Sequence, residues 1–488
     1  MIASCLLICS CAPADAGLQR VNHIVIVMQE NHSFDNYFGV LAYAPGSSYH
    51  NGTCAQTDHR CVDGLTCTMS GGVFSCTNSN VDDDGATVYA FKAASPCSDD
   101  LDHSWPGTHT EIDFGDPNQA LANPLSDGFV RQNDLLRETD SDEAATDDQT
   151  MSFYDQDDLP FYYDLAEKFA ISDRQFASAL GPTFPNRSYL MAATSFGHVG
   201  SGDALPSGGY KPISETIFEL MDRHGISWAD YSEDGPQDGM FRPADSVHEL
   251  PFATFLQQAA GSGELPQVSF VDPAFSTAGN MLEDDEHPPS DIRQGQYHVS
   301  QVVNAVRNGP FWRDSIIFIL YDEHGGFYDH VKPPEAPQNG ERTPDGIYPG
   351  QCEDLSSPPS SEQPGAGADC SSNWSTTLAD VEALCPELAS NPTGPFPANC
   401  AAFDQLGVRI PLIAVSPFSK SSYVSHLTGD HTSLLALIEK RFMRGAHLTR
   451  RDQYANDLED LFDFDTAPSL NTQVGTAQAP QENCTAGR

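Results

Sequence analysis

The stretch Asn22-His23-Ile24-Val25-Ile26-Val27-Met28-Gln29 runs straight into Glu30-Asn31, and Ser315-Ile316-Ile317-Phe318-Ile319-Leu320-Tyr321 runs straight into Asp322-Glu323. Short runs rich in Ile and Val read as strands of a parallel sheet buried on both faces. In open sheets of this kind the ligand crevice lies outside the carboxyl ends of the strands. The two runs therefore deliver three carboxylates and one carboxamide to one sheet edge. Hard oxygen donors converging on one place point to a divalent cation.

Outward from these runs, segments 267–272 and 408–415 read as further core strands, and helical patterns cover 159–169, 183–194, 297–307 and 432–442. Strands alternating with helices predict an α/β fold, a doubly wound and mostly parallel central sheet with helices on both faces. Two segments, 42–100 and 334–404, lack that rhythm yet hold nine of the 13 cysteines. They read as disulfide-stapled excursions from a single domain over 18–466, followed by a polar tail over 467–488. Segment 138–158, with Asp140, Asp142, Glu143, Asp147 and Asp148, reads as a solvated acidic loop.

The balance of 69 Asp+Glu against 24 Lys+Arg gives a formal net charge of -45. Such a surface repels nucleic acid, and an anionic substrate needs a local positive device such as a metal or a helix N-terminus. No CxxC pair occurs, which argues against structural zinc or a redox motif. Residues 1–17 hold a short apolar core followed by small residues, without the Lys or Arg usual at the start of an export signal. With the cysteines, this predicts a secreted, cell-surface or periplasmic protein, with lipidation at Cys9 or Cys11 as an alternative. No later apolar stretch reaches the roughly 20 residues that span a bilayer.

Gly181-Pro182-Thr183-Phe184-Pro185-Asn186-Arg187 carries the second chemical signal. Gly and Pro force a turn before a helical pattern, which predicts Thr183 at the N-cap. A purely structural capping role competes with a chemical one: a helix N-terminus attracts phosphate, and a hydroxyl held there beside a cation can serve as a nucleophile. Histidines supply proton-transfer candidates, namely His103 and His109 in one segment, His287 before two prolines, His324 after the acidic pair, and His330 and His431 in Asp-His pairs.

Glu30-Asn31-His32-Ser33-Phe34-Asp35-Asn36-Tyr37-Phe38-Gly39 resembles the opening motif of the bacterial phospholipase C and acid phosphatase family of phosphoesterases. That family includes the plant non-specific phospholipases C and belongs to the alkaline-phosphatase-like class. Later motifs follow in the family's order: Asp158-Leu159-Pro160-Phe161-Tyr162-Tyr163 with Ser172-Asp173-Arg174, the Gly181–Arg187 turn, Tyr321 through Val331, Arg409 through Pro417, and Asp430-His431-Thr432-Ser433-Leu434. The resemblance spans about 20 to 465, leaves out both cysteine-rich excursions, and departs at His32, where the family often has Arg. It implies Glu30, Asn31, Thr183, Asp322 and Glu323 as metal ligands, and Thr183 as the nucleophile that takes the phosphoryl group. It implies His103 and His287 as phosphate-binding and proton-transferring residues, and Asn31 and His324 as substrate-binding residues, with His109 and His431 as weaker candidates.

The cofactor expected is one divalent ion; oxygen ligation favours calcium, magnesium or manganese, with zinc or iron as alternatives. The substrate expected is a phosphatidylcholine-type phospholipid cleaved through a phosphothreonine, with transient contact at a membrane surface. The alternatives are an acid phosphatase acting on small phosphomonoesters, and a non-catalytic, calcium-stabilised secreted binding protein. Three minor signals complete the reading. Asn78 to Gly85 is either a partial calcium loop or a plain acidic turn. The glycosylation triplets at Asn31 and Asn186 fall inside the expected site. The aromatics Phe418, Tyr423 and those over 153–163 serve either lipid contact or the core.

Overall fold

The computed structural model describes residues 17–484 apart from 116–123, 140–146, 202–207, 243–245, 276–282, 338–343, 347–353, 357–402 and 481–483. The expected export segment, most of the later excursion and its four cysteines lie outside the described residues.

Eight strands form the central sheet: β1 (His23–Gln29), β2 (Ala170–Ser172), β3 (Trp228–Ser232), β4 (Glu249–Pro251), β5 (Val268–Val271), β6 (Ser315–Tyr321), β7 (Leu412–Val415) and β8 (Tyr423–Ser425). Their spatial order is β4-β3-β5-β1-β6-β7-β2-β8. All neighbours pair in parallel except β7, which is antiparallel to both β6 and β2. The sheet is therefore mixed. The two runs that opened the sequence reading lie side by side at its centre, in register from His23 opposite Ser315 to Gln29 opposite Tyr321.

Both runs are apolar throughout because the sheet is covered twice. Val25, Val27, Ile317 and Ile319 face one core cluster, which also takes in the helices Pro160–Lys168, Phe252–Ala259 and Ile292–Asn308. Ile24, Ile26, Met28, Ile316 and Phe318 face the other, with the helices Thr183–Ala192, Ile217–His224 and Thr432–Phe442.

The strand expected over 408–415 is confined to Leu412–Val415. Pro411 has no N–H to give a ladder, and the Arg409 side chain leaves the strand to pair with Asp35 and Asp329. The expected acidic loop over 138–158 is corrected in its described part. Asp147–Met151 form a 3-10 helix, and Met151, Phe153 and Tyr154 are core residues. Their apolar side chains outweigh the local acid. The early excursion carries short hairpins and the disulfides Cys54–Cys61 and Cys67–Cys76, while Cys97–Cys484 ties it to the C-terminal segment. Within Asn78–Gly85, Ser79–Val81 pairs with Thr87–Tyr89 as a hairpin, and in its turn Asp82 Oδ1 accepts from Ala86 N–H at 2.6 Å. Phe418 and the aromatics from Phe153 to Tyr163 are buried.

Candidate active site at the carboxyl ends of the central strands

Register fixes the first part of the site. Because Gln29 lies opposite Tyr321, Glu30 and Asp322 leave the sheet at one level. Asn31 takes a left-handed backbone (φ 64°), which asparagine tolerates, and its N–H donates to Asp322 Oδ1 at 3.2 Å. Gly325, at φ +62°, passes so close that a Cβ would stand 2.2 Å from the Asn31 carbonyl oxygen, so no larger residue fits. Its N–H holds Glu323 Oε2 at 2.7 Å.

The Arg187 guanidinium joins two of the acids, with Nη2 2.9 Å from Glu30 Oε1 and Nε 3.1 Å from Asp322 Oδ2. Burial pushes the Asp322 carboxyl above the usual carboxylate range, and Arg187 offsets only part of that. Burial also acts to raise Glu323, but the neighbouring His103 and His324 hold it below its ordinary value. Two buried oxygens in this group, Asn31 Oδ1 and Glu323 Oε1, have no hydrogen-bond partner among the described residues. Orphaned buried acceptors are costly. Open oxygen donors fit a hard cation, so Asn31 and Glu323 suit the ion that the sequence predicts. Glu30 and Asp322 instead hold Arg187, and they do not form with Glu323 a close ligand group among the described residues.

Thr183 opens the helix Thr183–Ala192 and lines one cavity together with Glu30, Arg187 and His287. The expectation that Thr183 is the N-cap is corrected: Pro182 holds that position, and no side chain caps the helix. The Gly181-Pro182 turn shifts the cap one residue earlier and leaves the Thr183 hydroxyl without a capping role. Asn186 clamps the turn, accepting from Ala179 N–H at 2.9 Å and donating to the Gly181 carbonyl at 2.7 Å. Asn31 and Asn186 are both fully buried, so neither glycosylation triplet is accessible.

His103 and His287 approach each other edge to face, with ring centroids 6.0 Å apart. His103 Nδ1 donates to the Leu101 carbonyl at 2.7 Å, which leaves Nε2 3.5 Å from Asn31 Nδ2. Burial alone would lower the His103 pKa, but the charges of Glu323 and Asp100 override it and carry the ring up to about 10.

The other histidines are engaged elsewhere. His324 lies between Glu111 (2.8 Å) and Glu323 (3.3 Å), a position that orients the latter. His109 bonds the Trp105 carbonyl, and burial pushes it down to about 4. His431 spans Ser178 and the Tyr321 carbonyl. His330 joins Asp35 and Asp63. His32 stacks on Tyr37 and Phe327 and bonds Asn36 and the Glu286 carbonyl.

Sequence reasoning gave no role to Arg187 or Glu286. Arg187 carries a weak signal, lying one turn after Thr183 on the same helix. Glu286 carries none. Its buried carboxylate accepts from Tyr37 (2.6 Å), Tyr162 (2.5 Å), Tyr321 (2.5 Å) and Gln29 (3.3 Å), contributed by three distant segments.

Non-specific phospholipase C1 of Arabidopsis thaliana is 28% identical over 461 residues, covering 92% of this chain and 72% of that protein. Phospholipase C B of Mycobacterium tuberculosis is 28% identical over 501 residues, covering 94% and 80%. The non-hemolytic phospholipase C of Burkholderia pseudomallei is 26% identical over 502 residues, covering 92% and 59%. Residues 21–443 match the Phosphoesterase family, a span from just ahead of β1 to the end of the helix Thr432–Phe442. On that match the chain belongs to the Phosphoesterase family and is a phosphoric ester hydrolase.

Proposed function

We propose that this hydrolase is a secreted, metal-dependent enzyme of the phospholipase C type that cleaves the glycerol–phosphate bond of phosphatidylcholine-like lipids through a phosphothreonine. The observation that carries the reading is Thr183, at the start of a helix, sharing one cavity with Glu30, Arg187 and His287. Glu30, Asn31, Asp322, Glu323 and Thr183 would hold one divalent cation. When bound, it would supply Lewis-acid stabilisation of phosphoryl oxygens and lower the pKa of a coordinated hydroxyl.

The chain's own groups then divide the work. Thr183 Oγ1, its proton released to water, forms the new bond to phosphorus as the bond to the glycerol oxygen breaks. The His103 imidazolium protonates the departing oxygen. Arg187 and the free N–H groups of the helix start offset charge on the phosphoryl oxygens. Water then gives a proton to His287 as its oxygen bonds to phosphorus and the bond from phosphorus to Thr183 Oγ1 breaks. Thr183 Oγ1 takes a proton back from solvent, His287 returns its proton to solvent, and His103 is reprotonated there. The phosphorylated head group leaves and the resting enzyme is restored. In this scheme His324 acts on substrate through Glu323, whose carboxylate it orients. Residues 18–466 work as one catalytic domain.

The same centre would serve phosphomonoesters, so the assay needs both ester types. With metal content measured alongside, Thr183→Ala and Asp322→Asn should each abolish turnover of phosphatidylcholine and of p-nitrophenyl phosphate while circular dichroism stays native. A folded, active Thr183→Ala protein would falsify the nucleophile assignment. Faster turnover of the monoester by the wild type would favour the acid phosphatase.

A further inference from the structure

Beyond Thr183, Glu30, Arg187 and His287, the cavity of about 590 Å³ is lined by Phe184, Met240 and Phe275 and by the carboxylates Glu283 and Asp285. Backbone pairing brings ring and acid together. Asp284 N–H donates to the Ala274 carbonyl at 3.1 Å, and Ala274 N–H donates to Asp284 Oδ1 at 2.6 Å. Phe275 and Glu283 thus flank one paired position. The acidic segment runs on to the metal-ligand end of β1, where Glu30 N–H donates to the Asp285 carbonyl at 2.8 Å.

Arg187 is the only Lys or Arg among the described lining residues, and Glu30 and Asp322 engage its Nη2 and Nε. Its guanidinium also lies over the Phe275 ring, 4.9 Å from the centroid, so that ring borders the phosphoryl end of the cavity. An anionic head group entering here meets the Glu283 carboxylate and the acid Asp285, whose carboxyl burial and Glu30 push above its ordinary range, and no second Lys or Arg among the described lining residues. An alkylammonium meets opposite charge together with aromatic and thioether surface, the surroundings that favour it.

We infer that Glu283 and Asp285, with Phe275, Phe184 and Met240, form a subsite for a cationic alkylammonium head group. The inference rests on the phospholipase C-type reading above. It adds the residues that select among head groups: a choline nitrogen lies two carbons from its phosphate ester oxygen, which suits a wall directly beside the phosphoryl position.

The test compares short-chain phosphatidylcholine, phosphatidylethanolamine and phosphatidylglycerol as substrates for the metal-loaded wild type, Glu283→Gln and Phe275→Leu. The expected wild-type kcat/KM is roughly tenfold higher for both ammonium lipids than for the glycerol lipid, in line with one desolvated charge and one cation–π contact. Glu283→Gln and Phe275→Leu should each collapse most of that ratio, chiefly through KM, and should weaken competitive inhibition by phosphocholine. Equal kcat/KM for all three lipids in the wild type, or an unaltered ratio in both folded variants, overturns the subsite while the hydrolase reading stands. Absence of wild-type hydrolysis of all three lipids, with p-nitrophenyl phosphate still turned over, overturns the phospholipase reading and the subsite with it.

Discussion

Arg187 shows how much one side chain can carry. It is almost fully buried, and its charge is held by Glu30 and Asp322, which in turn lean on it. Removing one partner of a buried ion pair leaves an uncompensated charge at a cost of about 3–5 kcal/mol. Arg187→Met should therefore destabilise the chelator-stripped protein by that amount in urea unfolding. A divalent cation should restore part of the loss, because it neutralises the same carboxylates. A variant as stable as wild type without metal would show that the two acids are not charged there. That Glu30, Asn31, Asp322 and Glu323 meet at one sheet edge was legible in the sequence because each directly follows, or lies one residue beyond, an unmistakable strand. Arg187 and Glu286 were not, because their roles arise from contacts between segments far apart in the chain.

Among the elements, the central strands were legible for a physical reason. Continuous runs of Ile and Val are stable only where both faces are covered. The short strands Ala170–Ser172, Trp228–Ser232, Glu249–Pro251 and Tyr423–Ser425 were missed: they include Ser, Asp and Glu, and three to five residues carry too little pattern to separate strand from loop. The helix Thr432–Phe442 was legible, yet it hides a buried acid. Burial, with Asp452 close by, pushes the Glu439 carboxyl up to about 11, against about 4.3 for a free glutamate. The folded state thus retains a proton that the unfolded chain releases. This contribution is fully present below about pH 4.3 and is lost progressively as pH rises towards the folded value. Glu439→Gln removes the dependence, so its melting temperature should exceed that of wild type at pH 8 and match it at pH 4. An equal difference at both values would rule out the linkage.

For the whole molecule, the tie between Cys97 and Cys484 spans 387 residues of sequence and holds the C-terminal segment against the body. Val474 and Ala477 pack on the core there, and Arg307 donates to the Thr472 carbonyl at 3.1 Å. Losing a disulfide that closes a long loop costs about 2–5 kcal/mol. Cys484→Ser should lower stability in that range in denaturant titration and free the last segment to limited proteolysis. A variant that resists protease like the wild type would show that packing alone secures it. With a formal charge of -45, self-repulsion adds to whatever opens the chain, and added salt should recover part of the deficit.

The carboxylate of Glu286 gathers Gln29, Tyr321 and its own loop, the immediate predecessors of Glu30, Asp322 and His287. Those three side chains consequently cannot drift independently, since a shift in any one drags the common anchor and the other two with it. Anyone transplanting this centre into another scaffold would have to carry the acid and its phenols as an indivisible unit.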